Sequence, residues 1–469
     1  MTNDSYHGCR ISKKRRIRLL IFLLCVFALI SAWALVQPYN VSPDEDLRYK
    51  IVQYLVKHGT LPNGFDAEIR SELWGVSYGF YPILGYMIMA IPAKIVSLFT
   101  SDFQAVLIAA RLVNAAFGTG MAFFVFRIGE LLMDDNERRL FCCLVCFLPG
   151  ILFLHSYVNT DSLALFSTAW IIYAWARSIK EGWTVPVCLH LAIGVGLCAL
   201  SYYNAYGAIL CSILFFHLSI LLCQEKRDWS LYRKRLLLIV AVVLLIAGWW
   251  FVRNAILYEG DFFGRNAATQ CGMLYGLDEY KPGTRLTPEK MGMTIPEMLF
   301  GPAAVCNWLV TVAVSFVGTF GYMEVFMPYG WTCAYFVLFL IGFIGCVCLI
   351  PKLLALWDKD QKMPEEPGKP PRRVWKAEGV FHWMLLGCIF IPIYLLIQYS
   401  YYSDYQVQGR YLMPAAIPFF FFIAKGILFL AGKIFKTEKS RKIFTWILCG
   451  ALIASSIGVY LLVFLPQYC

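Results

Sequence analysis

The strongest constraint on this chain is a succession of apolar stretches, each about as long as a bilayer is thick, separated by short charged segments. Eleven of them are legible: 19–36, 104–127, 138–157, 161–178, 185–201, 204–223, 236–256, 331–350, 380–400, 411–431 and 443–465. A helix needs roughly 20 apolar residues to cross the hydrocarbon layer. Inside lipid each backbone polar group must find its partner within the segment, so such stretches fold as helices. The expected fold class is therefore an all-α polytopic membrane protein with about 11 transmembrane helices. Only 15% of the 469 residues are charged, whereas soluble domains run near about 25%. The net charge of +11 sits largely in short blocks between apolar runs. That is the distribution of the positive-inside rule, and no nucleic-acid partner is expected from it.

Sidedness follows from those blocks. The N-terminus carries Arg10, Lys13, Lys14, Arg15, Arg16 and Arg18 and reads as cytoplasmic. The apolar run behind it is long for a signal peptide, so it reads as an uncleaved first helix. Segments 224–235, 351–379 and 432–442 are basic and also read as cytoplasmic; 364–371 within the second is a Pro-rich linker. Segment 37–77 holds six acids against four bases and suits the outer face. Two further segments, 78–99 and 303–323, are ambiguous. Counting crossings keeps the basic blocks inside only if neither crosses. The first contains Pro82, Gly85 and Pro92 and the second Gly318 and Gly321, and broken backbone at membrane depth usually lines a cavity. Both are expected to be re-entrant or juxtamembrane on the outer side, with the N-terminus in and the C-terminus out. The implied organisation is a basic N-terminus (1–18), an N-terminal transmembrane module (19–256) with a first outer loop (37–99), an outer loop (257–330) and a C-terminal transmembrane module (331–469). The 17 cysteines mostly lie in apolar runs, including Cys143 and Cys146, and read as small buried hydrophobes. Cys271 and Cys469 look exposed, and no disulfide framework is expected.

Almost every polar cluster falls on the outer side. In 42–62, Ser42 with Glu45 forms a capping-box pattern, Pro43 suits a first helical position, and Gly59 then Pro62 mark a stop. Leu47, Ile51, Tyr54 and Leu55 recur at helical spacing, so a short amphipathic helix is expected, with Asp44 at the tip of its apolar face. Elsewhere on that side stand Asn159 and Asp161, Arg253 with Asn254, and the run Gln408-Gly409-Arg410; Arg111 lies inside the second span. Singly, each reads as a helix-end acid or a snorkelling arginine. Their convergence on one face is the stronger signal, and an arginine within a span usually pairs or lines a pathway. No phosphate-cradling glycine loop and no H-E-x-x-H occurs, so no nucleotide cofactor is expected.

An ordered set of short motifs runs through nearly the whole chain. These are P-D-E at 43–45 with the G-x-L-P exit at 59–62, Y-P-I-L-G-Y at 81–86, and Arg111. P-G-x-x-F…N-T-D at 149–161, R-N at 253–254, S-F-V-G-T-F-G at 315–321 and V-Q-G-R-Y-L-M-P at 407–414 follow. The set resembles the GT-C superfamily of polyprenyl-phosphate-sugar-dependent glycosyltransferases, which includes protein O-mannosyltransferases and lipid A aminoarabinose transferases. More closely it is similar to a bacterial membrane family within that group. Many relatives carry a His shortly after P-D-E; here Asp46, Leu47 and Arg48 stand instead. The resemblance implies inverting transfer of a sugar from a polyprenyl phosphate to a hydroxyl of a glycan, lipid or protein. The setting would be the outer face of a bacterial plasma membrane. It implies Asp44 or Glu45 as catalytic base, with Asp44 first, and Arg410 with Gln408 on the donor phosphate, Arg111 and Arg253 in reserve. Asn159 and Asp161 would position acceptor or metal, and the need for a divalent metal is left open. Alternatives are a transporter or flippase of lipid-linked sugars and a non-catalytic protein of envelope assembly.

Overall fold

A computed structural model describes residues 13–225, 227–301, 307–357 and 373–469. The first twelve residues, the linker 364–371 and positions 303–306 of the second ambiguous segment lie outside them. The chain opens with α1 (Lys13–Val36), then the shorter helices α2 (Glu45–His58) and α3 (Leu84–Ser97). Next come α4 (Phe103–Leu132), α5 (Asp135–Cys146), α6 (Pro149–Leu154), α7 (Asp161–Glu181), α8 (Val185–Ala199) and α9 (Tyr206–Leu222). Helices α10 (Trp229–Val243) and α11 (Trp249–Leu257) form one rod through a π turn at Leu244–Gly248. Three short helices follow within 257–330: α12 (Arg265–Tyr275), α13 (Ile295–Phe300) and α14 (Trp308–Gly318). The chain closes with α15 (Tyr329–Leu353), α16 (Ala377–Tyr402), α17 (Ala416–Ile434) and α18 (Glu438–Val459).

Among the described residues, eight helical rods are long and apolar enough to cross a membrane. Three of the eleven expected spans are of another kind. Stretch 138–157 is divided between α5 and α6 at Phe147–Leu148, where Pro149 starts the second piece. The α8 helix has 15 residues, about 22 Å of rise. The α7 helix, over expected span 161–178, is long but carries Ser162, Ser167, Thr168 and Ser178 on its buried surface. The two ambiguous segments are short helices. At 14 and 11 residues, α3 and α14 rise only about 21 and 16 Å, well under the roughly 30 Å of hydrocarbon. Pro92 lies within α3. After α14 the chain makes a small antiparallel hairpin, β1 (Thr319–Phe320) with β2 (Val325–Phe326), pairing Thr319 with Phe326 and Phe320 with Val325.

The bundle is held by close packing. Helix α4 packs on α1, α3 and α7, and α17 packs on α15 and α5. At the α15–α17 crossing the backbones nearly touch: a Cβ on Gly345 would meet the Gly426 carbonyl oxygen at 2.1 Å. Small residues permit such approach in lipid, where dispersion and not water exclusion joins helices. Trp33 at the end of α1 lies 5.0 Å from the Phe320 ring and 4.3 Å from Phe464. This fastens α1, the hairpin and the end of the C-terminal rod together. Cys271 is buried against the Gly75 carbonyl, not exposed as its surroundings in sequence suggest.

The expected sidedness gives a labelling pattern. On a background without reactive native thiols, cysteines placed at Asp66, Tyr275 and Ser403 should react with an impermeant maleimide from outside. Those at Trp229 and Lys433 should not. Outside labelling at Trp229 would change the number of crossings that precede it, through α3 or one of the stretches 138–157, 161–178 and 185–201, and remove the shared outer face.

Candidate active site

The head of α2 is the organising element. The helix begins at Glu45, not Ser42, and the capping box is not made: Ser42 Oγ donates to Gln37 Oε1 (2.8 Å). Asp44 is the helix's first flanking residue, yet its side chain caps nothing. Its backbone sits at φ 61°, a conformation that L residues rarely adopt and that recurs at functional sites. The helix ends as expected, with Gly59 at φ 68° closing on the Leu55 carbonyl.

Glu45 and Arg111, expected as alternative base and reserve phosphate ligand, are bound to each other. Arg111 donates Nε to Glu45 Oε1 (2.8 Å) and Nη2 to Oε2 (2.6 Å). Its remaining donors reach the carbonyls of Ala34 (3.0 Å), Gln37 (2.7 Å) and Pro38 (2.9 Å). These are orphan acceptors at and beyond the C-terminal end of α1, where a cation also suits the helix dipole. Glu45 further accepts from the backbone N–H of Asn40 (3.2 Å) and Val158 (3.1 Å). Both side chains are fully buried. The pair ties α1, α2, α4 and the turn before α7 into one knot and leaves neither residue open to a substrate.

Asp44 belongs to a different network. Arg410 Nη2 donates to Asp44 Oδ2 at 2.6 Å, and Arg410 Nη1 to the Pro43 carbonyl at 3.3 Å. Arg48, one turn along α2, places Nη2 3.8 Å from the same Oδ2 and binds Asp161 through Nη1 at 2.8 Å. Two guanidiniums thus alternate with two carboxylates. Arg48 also lies 4.9 Å from the Tyr78 ring centroid and 5.7 Å from that of Tyr202. Tyr78 also favours the charged form of Asp44. Exposure separates the acids: side-chain exposure is 32% for Asp44, 3% for Asp161 and zero for Glu45. Of these three carboxylates only Asp44 is partly exposed. Burial by itself raises its pKa, but the charges of Arg410 and Arg48 outweigh this and bring it down to about 2. A depressed carboxylate stabilises the fold fully above its unfolded value of about 3.9 and loses that contribution as pH falls through about 2.

The guanidiniums are not saturated. Among the described residues, Arg48 Nε and Nη2 and Arg410 Nε have no hydrogen-bond partner, and neither has Gln408 Oε1. A cavity beside Arg410 is lined by Pro43, Tyr157, Ser315, Thr319 and Gln408. Gly409 does bring backbone close to something, but that is α14: a Cβ there would lie 2.2 Å from the Phe316 nitrogen, and its N–H donates to Ser315 Oγ at 2.7 Å. Asn159 is consumed internally, donating to the Leu154 (2.7 Å) and Tyr157 (3.0 Å) carbonyls and accepting from Ser162 N–H (2.9 Å). Arg253 holds the Pro62 carbonyl (2.6 Å) and the Asn254 side chain (3.3 Å), and none of these partners belongs to the Asp44 network. The arginine of this network that the sequence reading does not single out is Arg48. Its signal was its place four residues after Asp44, on the face that also carries Ile51. The expected positioning of metal by Asp161 finds no suitable donor set. Among the described residues no three His, Cys, Asp or Glu side chains converge. Asp44 and Asp161 already face two guanidiniums, which a dication would meet as like charge.

The family model described as "Predicted membrane protein (DUF2142)" matches residues 62–418. No curated protein matches the chain. Among solved structures, the apo oligosaccharyltransferase of Archaeoglobus fulgidus is similar, with 13% identity and a TM-score of 0.56 over 95% of this chain and 56% of that one. The same archaeal enzyme, AglB, in complex with an inhibitory peptide and a dolichol-phosphate gives 13% identity and a TM-score of 0.57, covering 95% and 55%. The arabinofuranosyltransferase AftD from Mycobacteria gives 12% identity and a TM-score of 0.52, covering 95% and 26%. The fold is that of the GT-C glycosyltransferases. The chain spans about half the length of the first of these structures, or 56%.

Proposed function

Because this chain belongs to the DUF2142 family of predicted membrane proteins and holds an accessible carboxylate between two arginines, we propose that it is a membrane glycosyltransferase using a polyprenyl-phosphate sugar. The acceptor is a hydroxyl of a glycan, lipid or protein at the outer face. The observation that carries this reading is the pairing of Asp44 with Arg410 at 2.6 Å, a base and a phosphate-binding group within one contact of each other.

In the reaction, the acceptor hydroxyl oxygen forms a bond to the sugar's anomeric carbon from the side opposite the phosphate. The carbon–oxygen bond to phosphate breaks, and its electron pair leaves on the polyprenyl phosphate. The hydroxyl proton passes to a carboxylate oxygen of Asp44. Attack from the opposite side inverts the anomeric centre. Arg410 lies against the departing phosphate and stabilises its charge where burial strengthens the interaction. Asp161 holds Arg48 in place. The dolichol-phosphate in the archaeal structure supports a lipid phosphate as the donor's leaving group. No step is assigned to a metal.

The test uses purified protein, a lipid-phosphate sugar, and the variants Arg410→Lys and Arg410→Ala. A guanidinium can give two parallel hydrogen bonds to one phosphate, which an ammonium cannot copy. Arg410→Lys should therefore weaken donor binding by about tenfold or more, the value of a hydrogen bond to a charged group. A snorkelling arginine would be replaced by lysine with little change. Near-normal affinity and transfer in both variants would remove Arg410 from the site.

A further inference from the structure

We propose that Asp44 is an internal stand-in for the donor phosphate, and that Arg48 is the second guanidinium of the phosphate site. Binding of the lipid phosphate then displaces the Asp44 carboxylate from the Arg48–Arg410 pair and frees it to act as base. This rests on the donor reading above and adds an order of events to it.

Four observations lead there. An anionic oxygen already lies between the two guanidiniums, 2.6 Å from Arg410 and 3.8 Å from Arg48. The second distance is too long for a hydrogen bond, so Arg48 is poorly served by the carboxylate it faces. Its Nε and Nη2, and Nε of Arg410, lack partners although all are buried. Buried donors are nearly always satisfied, so such groups call for an explanation. A phosphate, with several acceptor oxygens, can serve both guanidiniums where one carboxylate serves only one. Arg48 is fixed for this role: Asp161 holds Nη1 at 2.8 Å, and Tyr78 and Tyr202 flank the guanidinium.

The remaining observation concerns Asp44 itself. At φ 61° the Asp44 carbonyl accepts the Arg48 N–H (3.1 Å), but its side chain makes no capping bond, so the helix does not engage the carboxylate. The ion pair with Arg410 also leaves it a weak base, since the same contact lowers its proton affinity. Transfer of Arg410 to phosphate removes that penalty when a donor is present. The base becomes competent only in the donor-bound protein, which sets donor binding before acceptor activation.

The experiment measures binding of undecaprenyl phosphate to the purified full chain in lipid nanodiscs, with undecaprenol as the phosphate-free control. Asp44→Asn removes the competing charge and keeps the shape, so undecaprenyl phosphate should bind about tenfold tighter while undecaprenol is unaffected. Asp44→Glu restores the competitor and should return affinity toward wild type. Arg48→Lys keeps a cation beside Asp161, so the protein still folds, but it loses the fork. It should weaken phosphate binding by about tenfold. The lysine variant keeps the inference testable if the asparagine variant does not insert. Unchanged or weaker binding in Asp44→Asn, or unchanged binding in Arg48→Lys, overturns the displacement and leaves the donor reading standing. Wild-type protein that binds undecaprenyl phosphate no better than undecaprenol overturns both.

Discussion

Asp44→Asn should slow sugar transfer by roughly 10²–10⁴-fold, the usual worth of a general base, while the protein still inserts and purifies. The substitution keeps the size of the side chain and removes its ability to take a proton. It should be tolerated because Asp44 is 32% exposed, so water can solvate the groups it leaves behind. Arg48 keeps its stronger partner Asp161 at 2.8 Å. The kinetic signature is a fall in turnover without a rise in the donor concentration needed for half-saturation. A purely structural role would lower the amount of folded protein and leave turnover per folded molecule alone. Turnover near wild type would place the base elsewhere, and Asp161 would be the next carboxylate to test.

The second large effect lies one residue away and is of another kind. Glu45→Gln and Arg111→Ala should each destabilise the protein by about 3–5 kcal/mol, the typical cost of removing one partner from a buried ion pair. Either change strands a charge that is wholly buried. In Glu45→Gln the amide also turns an N–H₂ group toward donors, since Arg111, the Asn40 N–H and the Val158 N–H all point at the carboxylate. In Arg111→Ala the carbonyls of Ala34, Gln37 and Pro38 lose their donor. Expression and thermal unfolding of the detergent-solubilised protein read this directly. An inactive Glu45→Gln with a wild-type melting temperature would instead give Glu45 a part in the chemistry.

The sequence by itself determined the material of the fold. Apolar runs of bilayer length fold as helices in lipid, and eight such rods are present among the described residues. Helices α3 and α14 are short for reasons also visible in one dimension, since Pro82 and Pro92 bracket or enter the first, and Gly318 and Gly321 end the second. The gathering of acids and arginines on one set of loops was equally legible, because charges avoid apolar runs and their places between spans follow from counting. So was the ordered set of motifs that carries the resemblance to the GT-C superfamily.

What each charged residue does was decided by the tertiary structure. Asp44, Glu45 and Asp46 are neighbours with nearly the same chemistry, and they meet three separate fates. Asp44 faces Arg410 and Arg48; Glu45 is locked by Arg111; Asp46 accepts from Tyr39 (2.6 Å) and pairs with Lys50 (3.2 Å). Glu45 and Asp46 are successive helical residues and point about 100° apart, and Asp44 precedes the helix at φ 61°, so the three side chains leave in different directions. The partner each one meets is set by which helix packs on that side. Arg410 is 366 positions from Asp44 and Arg111 is 66 from Glu45, and local spacing carries no information about either. A lone acid at a helix start looks the same whether it is sealed in a knot or left open beside an arginine. Only the packing of α1, α4 and the entry to α17 around the head of α2 separates the two, because burial and pairing are properties of the assembled bundle.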